Sequence, residues 1–158
     1  YCMALLLAVA GCSTVNIGQL DESVSAEVSS VSVVETSGRA GQLYSRALRQ
    51  TLYLYGQSTP AYELTSSISV SSSSTLSVIG VSSTFKKMTM VVKFKLKKQG
   101  VGDVLLQDKV TADATLGTVS SLFGQDQSEL HARDRMARLI AQRVAQRIRL
   151  YFLENADN

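Results

Sequence analysis

The sequence predicts a small α+β domain: two helices packed on one face of a four-stranded mixed or antiparallel sheet, in the order β-α-β-β-β-α. Three observations carry this reading. Apolar and polar residues alternate along several stretches, the period of a half-buried strand. Along two others, apolar residues recur every three to four positions, the period of a helix with one buried stripe. Finally, 158 residues, 45% hydrophobic and 18% charged, suffice for one domain with a real core but not obviously for two.

The chain opens on Ala4-Leu5-Leu6-Leu7-Ala8-Val9-Ala10-Gly11-Cys12, an uncharged apolar run that ends in small residues and a cysteine. It is too short for a transmembrane helix and matches the apolar core of a signal peptide. Val9-Ala10-Gly11-Cys12 resembles the bacterial lipobox, in which the peptidase grips small residues and the thiolate of the next residue takes diacylglycerol. Residues 1–11 are therefore read as a signal peptide and Cys12 as the lipidated first residue of the mature protein. No basic stretch precedes Ala4, so the signal peptide is expected to be truncated, with its start upstream of Tyr1. Residues 12–22 are expected to be a lipidated polar tether and 23–158 the folded domain. Cys2 falls in the removed segment, so the mature chain has no thiol left for a disulfide or a metal site.

Val28 to Val34 reads as the first strand, with Val31 and Val33 alternating. From Gly41 to Tyr55 the period switches: Tyr44, Leu48, Leu52 and Tyr55 share one helix face, and Gly56 and Pro60 bracket its end. Tyr62, Leu64, Ile68 and Val70 form the apolar face of the second strand. Ser71-Ser72-Ser73-Ser74 is a bend or a polar extension of it. Phe85 to Leu96 alternates most clearly. Met88, Met90, Val92, Phe94 and Leu96 lie on one side, and Lys87, Lys93, Lys95 and Lys97 on the other. A slip of one residue would bury those lysines, so the register is firmly specified. Gln99 to Asp103, with two glycines, turns the chain. The next strand, Val104 to Leu116, places Val104, Leu106, Val110, Ala112, Ala114 and Leu116 inward, and Asp108 breaks the pattern. A loop over 118–125 leads to a helix from about Gln127 to Leu153, with Asp126 and Glu129 at capping-box spacing. Its stripe comprises Ala137, Ile140, Ala141, Val144, Ile148, Tyr151 and Phe152.

Net charge is +3, yet 13 of the 16 Lys and Arg follow Phe85, as lysine on a strand and arginine on a helix. Nucleic acid is a poor partner for these blocks, which lack interleaved exposed aromatics on an exported chain. His131, the one histidine, has Glu129 and Asp134 near it in sequence, but residues two apart do not share a helix side. No phosphate loop, metal cluster, cofactor motif or nucleophile motif accompanies it, so the chain does not read as an enzyme.

The order of elements, with several local stretches, resembles the LPS-assembly lipoprotein LptE family in its alphaproteobacterial form. The stretches are Gly38-Arg39-Ala40-Gly41-Gln42-Leu43, Pro60-Ala61-Tyr62-Glu63-Leu64, Val92-Lys93-Phe94-Lys95-Leu96, Gly102-Asp103-Val104-Leu105-Leu106, and Ala132-Arg133-Asp134-Arg135 through Ile148-Arg149-Leu150-Tyr151-Phe152. One segment departs: Ser13-Thr14-Val15-Asn16-Ile17-Gly18 stands where the family commonly has Gly-Phe-x-Pro-Leu-Tyr after the cysteine. The resemblance implies a non-enzymatic outer-membrane lipoprotein without cofactors. Its acyl chains hold it in the membrane, where Ser13 after the cysteine favours the outer one. It would plug and support the β-barrel LptD and help deliver lipopolysaccharide to the cell surface. Lys86, Lys87, Lys93, Lys95, Lys97 and Lys98 are then candidates for lipopolysaccharide phosphates, and Arg138, Arg143, Arg147 and Arg149 for the barrel interior. The competing readings are a solvated strand face and an auxiliary lipoprotein of a lipid-transport ABC system.

Overall fold

Four strands form one mixed sheet: β1 (Val31–Val33), β2 (Tyr62–Thr75), β3 (Phe85–Lys98) and β4 (Val104–Gly117), in the order β1-β2-β3-β4. Three helices accompany it: α1 (Ile17–Ser29), α2 (Gly38–Leu52) and α3 (Leu122–Asn155). The computed structural model describes residues 17–54, 56–75, 85–117 and 121–156. Cys2, Cys12, the lipobox and Tyr55 lie outside the described residues.

The expected architecture is present, with one helix more than expected. Residues 17–22, assigned to the tether, begin α1, and Val28 belongs to that helix instead of the first strand. The Val/Ser alternation hides a second period: Ile17, Leu20, Val24 and Val28 are spaced by three, four and four. Val24 and Val28 are buried, and tertiary packing outweighs the weak helix propensity of the serines. The hydroxyls of Ser29 and Ser30 donate to the Ala26 and Glu27 carbonyls at 2.8 and 2.7 Å, satisfying acceptors that the helix end leaves open.

β1 is parallel to β2, with Val31 opposite Tyr62 and Val33 opposite Leu64. Parallel neighbours need a crossover, and α2 supplies it. α2 starts at Gly38, three residues earlier than expected, and buries Tyr44, Leu48 and Leu52. Gly41 marks its closest approach to the preceding segment, since a Cβ there would lie 2.4 Å from the Thr36 carbonyl oxygen. The buried Tyr44 hydroxyl lies 3.0 Å from Ser66 Oγ, and burial pushes its pKa up to about 12.

The tetraserine stretch continues β2: Ser71 to Ser74 pair with Thr89 to Lys86. The ladder bonds are backbone bonds, so short polar side chains do not interrupt them. β3 is fixed as expected, with Met88, Met90, Val92, Phe94 and Leu96 at most 1% exposed. Val104 is corrected. Leu96 faces Leu106 but Lys97 faces Val104, so a bulge turns Val104 to the lysine side, where it is 49% exposed.

α3 also begins earlier than expected. Ser121 is its N-cap, and the Ser121 hydroxyl accepts a bond from the Gly124 N–H. Asp126 is thus inside the helix, and Glu129 serves an ion pair. With 34 residues the helix is ~51 Å long, close to the ~46 Å of a 14-residue strand, so it runs the length of the sheet. Its buried residues run from Ala132 to Phe152 and pack on α1, α2 and β4. Tyr62 and Phe152 close that end of the core, ring centroids 5.0 Å apart. Among the described residues no helix is long and apolar enough to cross a membrane.

Candidate functional site

The odd-numbered residues of β3 face away from the helices. Antiparallel register places each between two cross-strand neighbours. Lys97 lies between Glu63 and Val104, Lys95 between Thr65 and Gln107, and Lys93 between Ser67 and Lys109. Lys93, Lys95, Lys97 and Lys109 border a broad depression of about 900 Å³, which Asp108 also lines. Further along, Lys87 is neutralised: its Nζ is 3.2 Å from Asp113, which also accepts a 2.6 Å bond from the Thr89 hydroxyl. These bonds, Thr89's first, hold the Asp113 carboxyl below its ordinary pKa.

Lys93, Lys95, Lys97 and Lys109 form no ion pair among the described residues. Lys93 and Lys109 stand directly opposite each other, an arrangement that destabilises a sheet unless an anion lies between them. Lys109 was absent from the candidates drawn from sequence, although a signal existed. Val101 is the midpoint of the 99–103 turn, and counting eight residues outward along each strand pairs Lys93 with Lys109.

Two candidate lysines leave this group, because even positions of β3 point toward the helices. Lys86 Nζ meets Glu129 of α3 at 2.6 Å, and Glu129 also lies 3.6 Å from Arg133 and accepts from Gln125 at 3.2 Å. The Lys86 bond is the main reason the Glu129 carboxyl sits below its ordinary pKa. Lys98 borders a cavity of about 370 Å³ with Glu27, Tyr62 and Phe152, at the opposite end of the strand. Burial first, and Glu27 second, push the Tyr62 pKa up to about 12.

Three of the four candidate arginines bind within the fold. Arg143 donates to the Thr111 carbonyl at 2.6 Å, Arg147 meets Asp108 at 3.5 Å, and Arg149 donates to the Thr51 carbonyl at 3.0 Å. Asp108, the polar break in β4, is thereby explained as the strand partner of an α3 arginine. Arg138 is exposed and has no partner among the described residues. His131 is exposed, and no acidic group bonds to it among the described residues; none of those residues forms a metal-ligand cluster.

The fold recurs in solved structures. A predicted lipoprotein from Caulobacter crescentus CB15 superposes with a TM-score of 0.69 at 17% identity, covering 84% of this chain and 97% of its own. A minor lipoprotein from Acinetobacter baumannii superposes with a TM-score of 0.60 at 14% identity, covering 77% and 91%. None of the curated proteins compared matches the sequence. The profile of the LptE lipopolysaccharide-assembly family matches residues 26–148, from the last turn of α1 to the last turns of α3. With most of its length matched, the chain belongs to the LptE lipopolysaccharide-assembly family.

Proposed function

We propose that this protein is an outer-membrane lipoprotein, acylated at Cys12, that plugs and supports an LptD-like β-barrel, and that its open lysine face contacts the lipopolysaccharide being delivered. It works by shape and charge, without making or breaking bonds. Family membership and the lipobox support the placement. The observation that carries the ligand reading is the group Lys93, Lys95, Lys97 and Lys109, gathered around one depression and making no ion pair among the described residues. Lipid A phosphates and inner-core acids are the matching anions. Each lysine near an anionic surface contributes about 1 kcal/mol, so the group orients such a ligand without fixing it rigidly.

The test replaces Lys93, Lys95 and Lys97 together by glutamate and measures affinity for purified lipopolysaccharide. We expect at least a ~10-fold loss, with an unchanged circular dichroism spectrum. Equal affinity in the two proteins would remove the ligand reading. The barrel reading is tested separately: detergent-solubilised outer membranes should yield a stoichiometric complex with a large β-barrel protein.

A further inference from the structure

The end of the molecule where β2 starts and β3 and α3 finish carries a cavity of about 370 Å³, within the ~300–1,000 Å³ range of small-molecule pockets. Three elements furnish its polar groups. Glu27 comes from α1, Lys98 from the last position of β3, and Asn155 from the last position of α3. The bulge that turns Val104 to the lysine side brings its neighbour Leu105 into the cavity wall. Tyr62, Tyr151 and Phe152 add an aromatic wall: both tyrosine rings lie against Phe152, with centroids 5.0 and 5.5 Å from it. The Tyr62 hydroxyl donates to Glu27, which holds the carboxylate beside the rings. Asn155 spends its amide N–H on the Tyr151 carbonyl at 2.7 Å, and its Oδ1 remains an acceptor.

Two opposite charges line this one cavity without neutralising each other. Neither Glu27 nor Lys98 forms an ion pair among the described residues. A carboxylate beside aromatic rings suits an ammonium group, and a lysine suits a phosphate. A ligand that carries both groups satisfies both charges at once. We propose that the cavity binds the phosphoethanolamine headgroup of a phospholipid, with the ammonium at Glu27, Asn155 and the rings and the phosphate at Lys98. A primary ammonium brings three N–H donors, which Glu27 and Asn155 Oδ1 accept; a quaternary one brings none. Two observations select a membrane lipid over the free headgroup. The same end of the fold exposes Leu54, Val101 and Leu153, by 63, 63 and 47%, apolar side chains that suit the headgroup and acyl boundary of a leaflet. The cavity is also close to the expected anchor. Five positions separate Cys12 from Ile17, a reach of at most ~18 Å, and Ser23 in the cavity wall lies ~9 Å further along α1. The choice of a lipid thus rests on the acylation at Cys12 proposed above, whereas the choice of headgroup rests on the cavity alone.

The test uses the full chain with Cys12→Ser, unacylated and in a neutral detergent. Dihexanoyl phosphatidylethanolamine and dihexanoyl phosphatidylglycerol are titrated into it by calorimetry. We expect the ethanolamine lipid to bind at least ~10-fold more tightly than the glycerol lipid. Glu27→Gln should abolish that preference and leave affinity for the glycerol lipid unchanged. Lys98→Gln should weaken both lipids alike, because both keep the phosphate. Both residues are exposed, so circular dichroism should show both variants folded. Equal affinity for the two lipids in the parent, or an undiminished preference in Glu27→Gln, would overturn the site. Glycerophosphoethanolamine, the headgroup without acyl chains, should bind ~10-fold more weakly than the ethanolamine lipid; equal binding would overturn the lipid source. Acylation of Cys12 is read separately, by mass spectrometry of the parent, so a failure of the anchor and a failure of the headgroup site are told apart.

Discussion

Along β3, residues that differ by one position follow opposite rules. Met88, Met90, Val92, Phe94 and Leu96 are at most 1% exposed and belong to the core that the sheet shares with the helices. Lys93, Lys95 and Lys97, interleaved with them, turn the other way, and Lys93 meets a like-charged neighbour, Lys109, on β4. The first face determines whether the chain folds. The second is free of that duty, and it retains a repulsion between Lys93 and Lys109 that folding alone would have removed. Lys86 and Lys87 make the same point in adjacent residues, one paired with a helix and the other with a strand.

The largest expected effect lies on the buried face. Phe94→Ala should cost about 3–5 kcal/mol in chemical denaturation, because the cavity cannot refill from a packed core. Lys95→Ala, one position away, should change stability by no more than about 0.5 kcal/mol. Parity of those two values would break the comparison. Lys93→Glu should act in the opposite sense, stabilising the protein by roughly 0.2–1 kcal/mol by converting the repulsive pair into an attractive one, while weakening lipopolysaccharide binding. A variant more stable and less active would mark the repulsion as a cost of function.

The smallest effect concerns Glu129. Its folded-state pKa is depressed, chiefly by Lys86, so its contribution is present above the ordinary carboxylate pKa and lost as pH falls through the lower folded value. Stability measured against pH should therefore fall less steeply in acid for Glu129→Gln than for the parent. Identical acid slopes would show that the pairing adds nothing.

Much of the fold was legible because side-chain period decides it locally. The strand faces of β2 and β3 and the buried stripes of α2 and α3 follow from spacing alone. α1 was missed because Val31 and Val33 do alternate and drew Val28 into their strand, while the longer period through Ile17 and Leu20 crossed the segment read as tether. Val104 was misplaced because a bulge is a pairing event between two strands, invisible in either one. The site divides the same way. The unpaired lysines of β3 were readable from parity, and parity would also have set Lys86 and Lys98 on the other side of the strand. Lys109 needed the hairpin register. The arginines needed three-dimensional contacts, because an exposed-looking helix face reaches sideways to Thr111, Asp108 and Thr51.

The length of α3 has a mechanical consequence. α1 packs at the end of the molecule where Tyr62 and Phe152 meet, so a membrane hold placed before α1 grips the body by one extremity. The opposite extremity, where β3 begins and Ser121 caps α3, stands ~46 Å further on along a strand braced by a single unbroken rod. That reach matches the ~40–45 Å of a whole bilayer with its headgroups. Under the proposed anchoring, a mast of this height stepped at one leaflet would carry its tip to the level of the other.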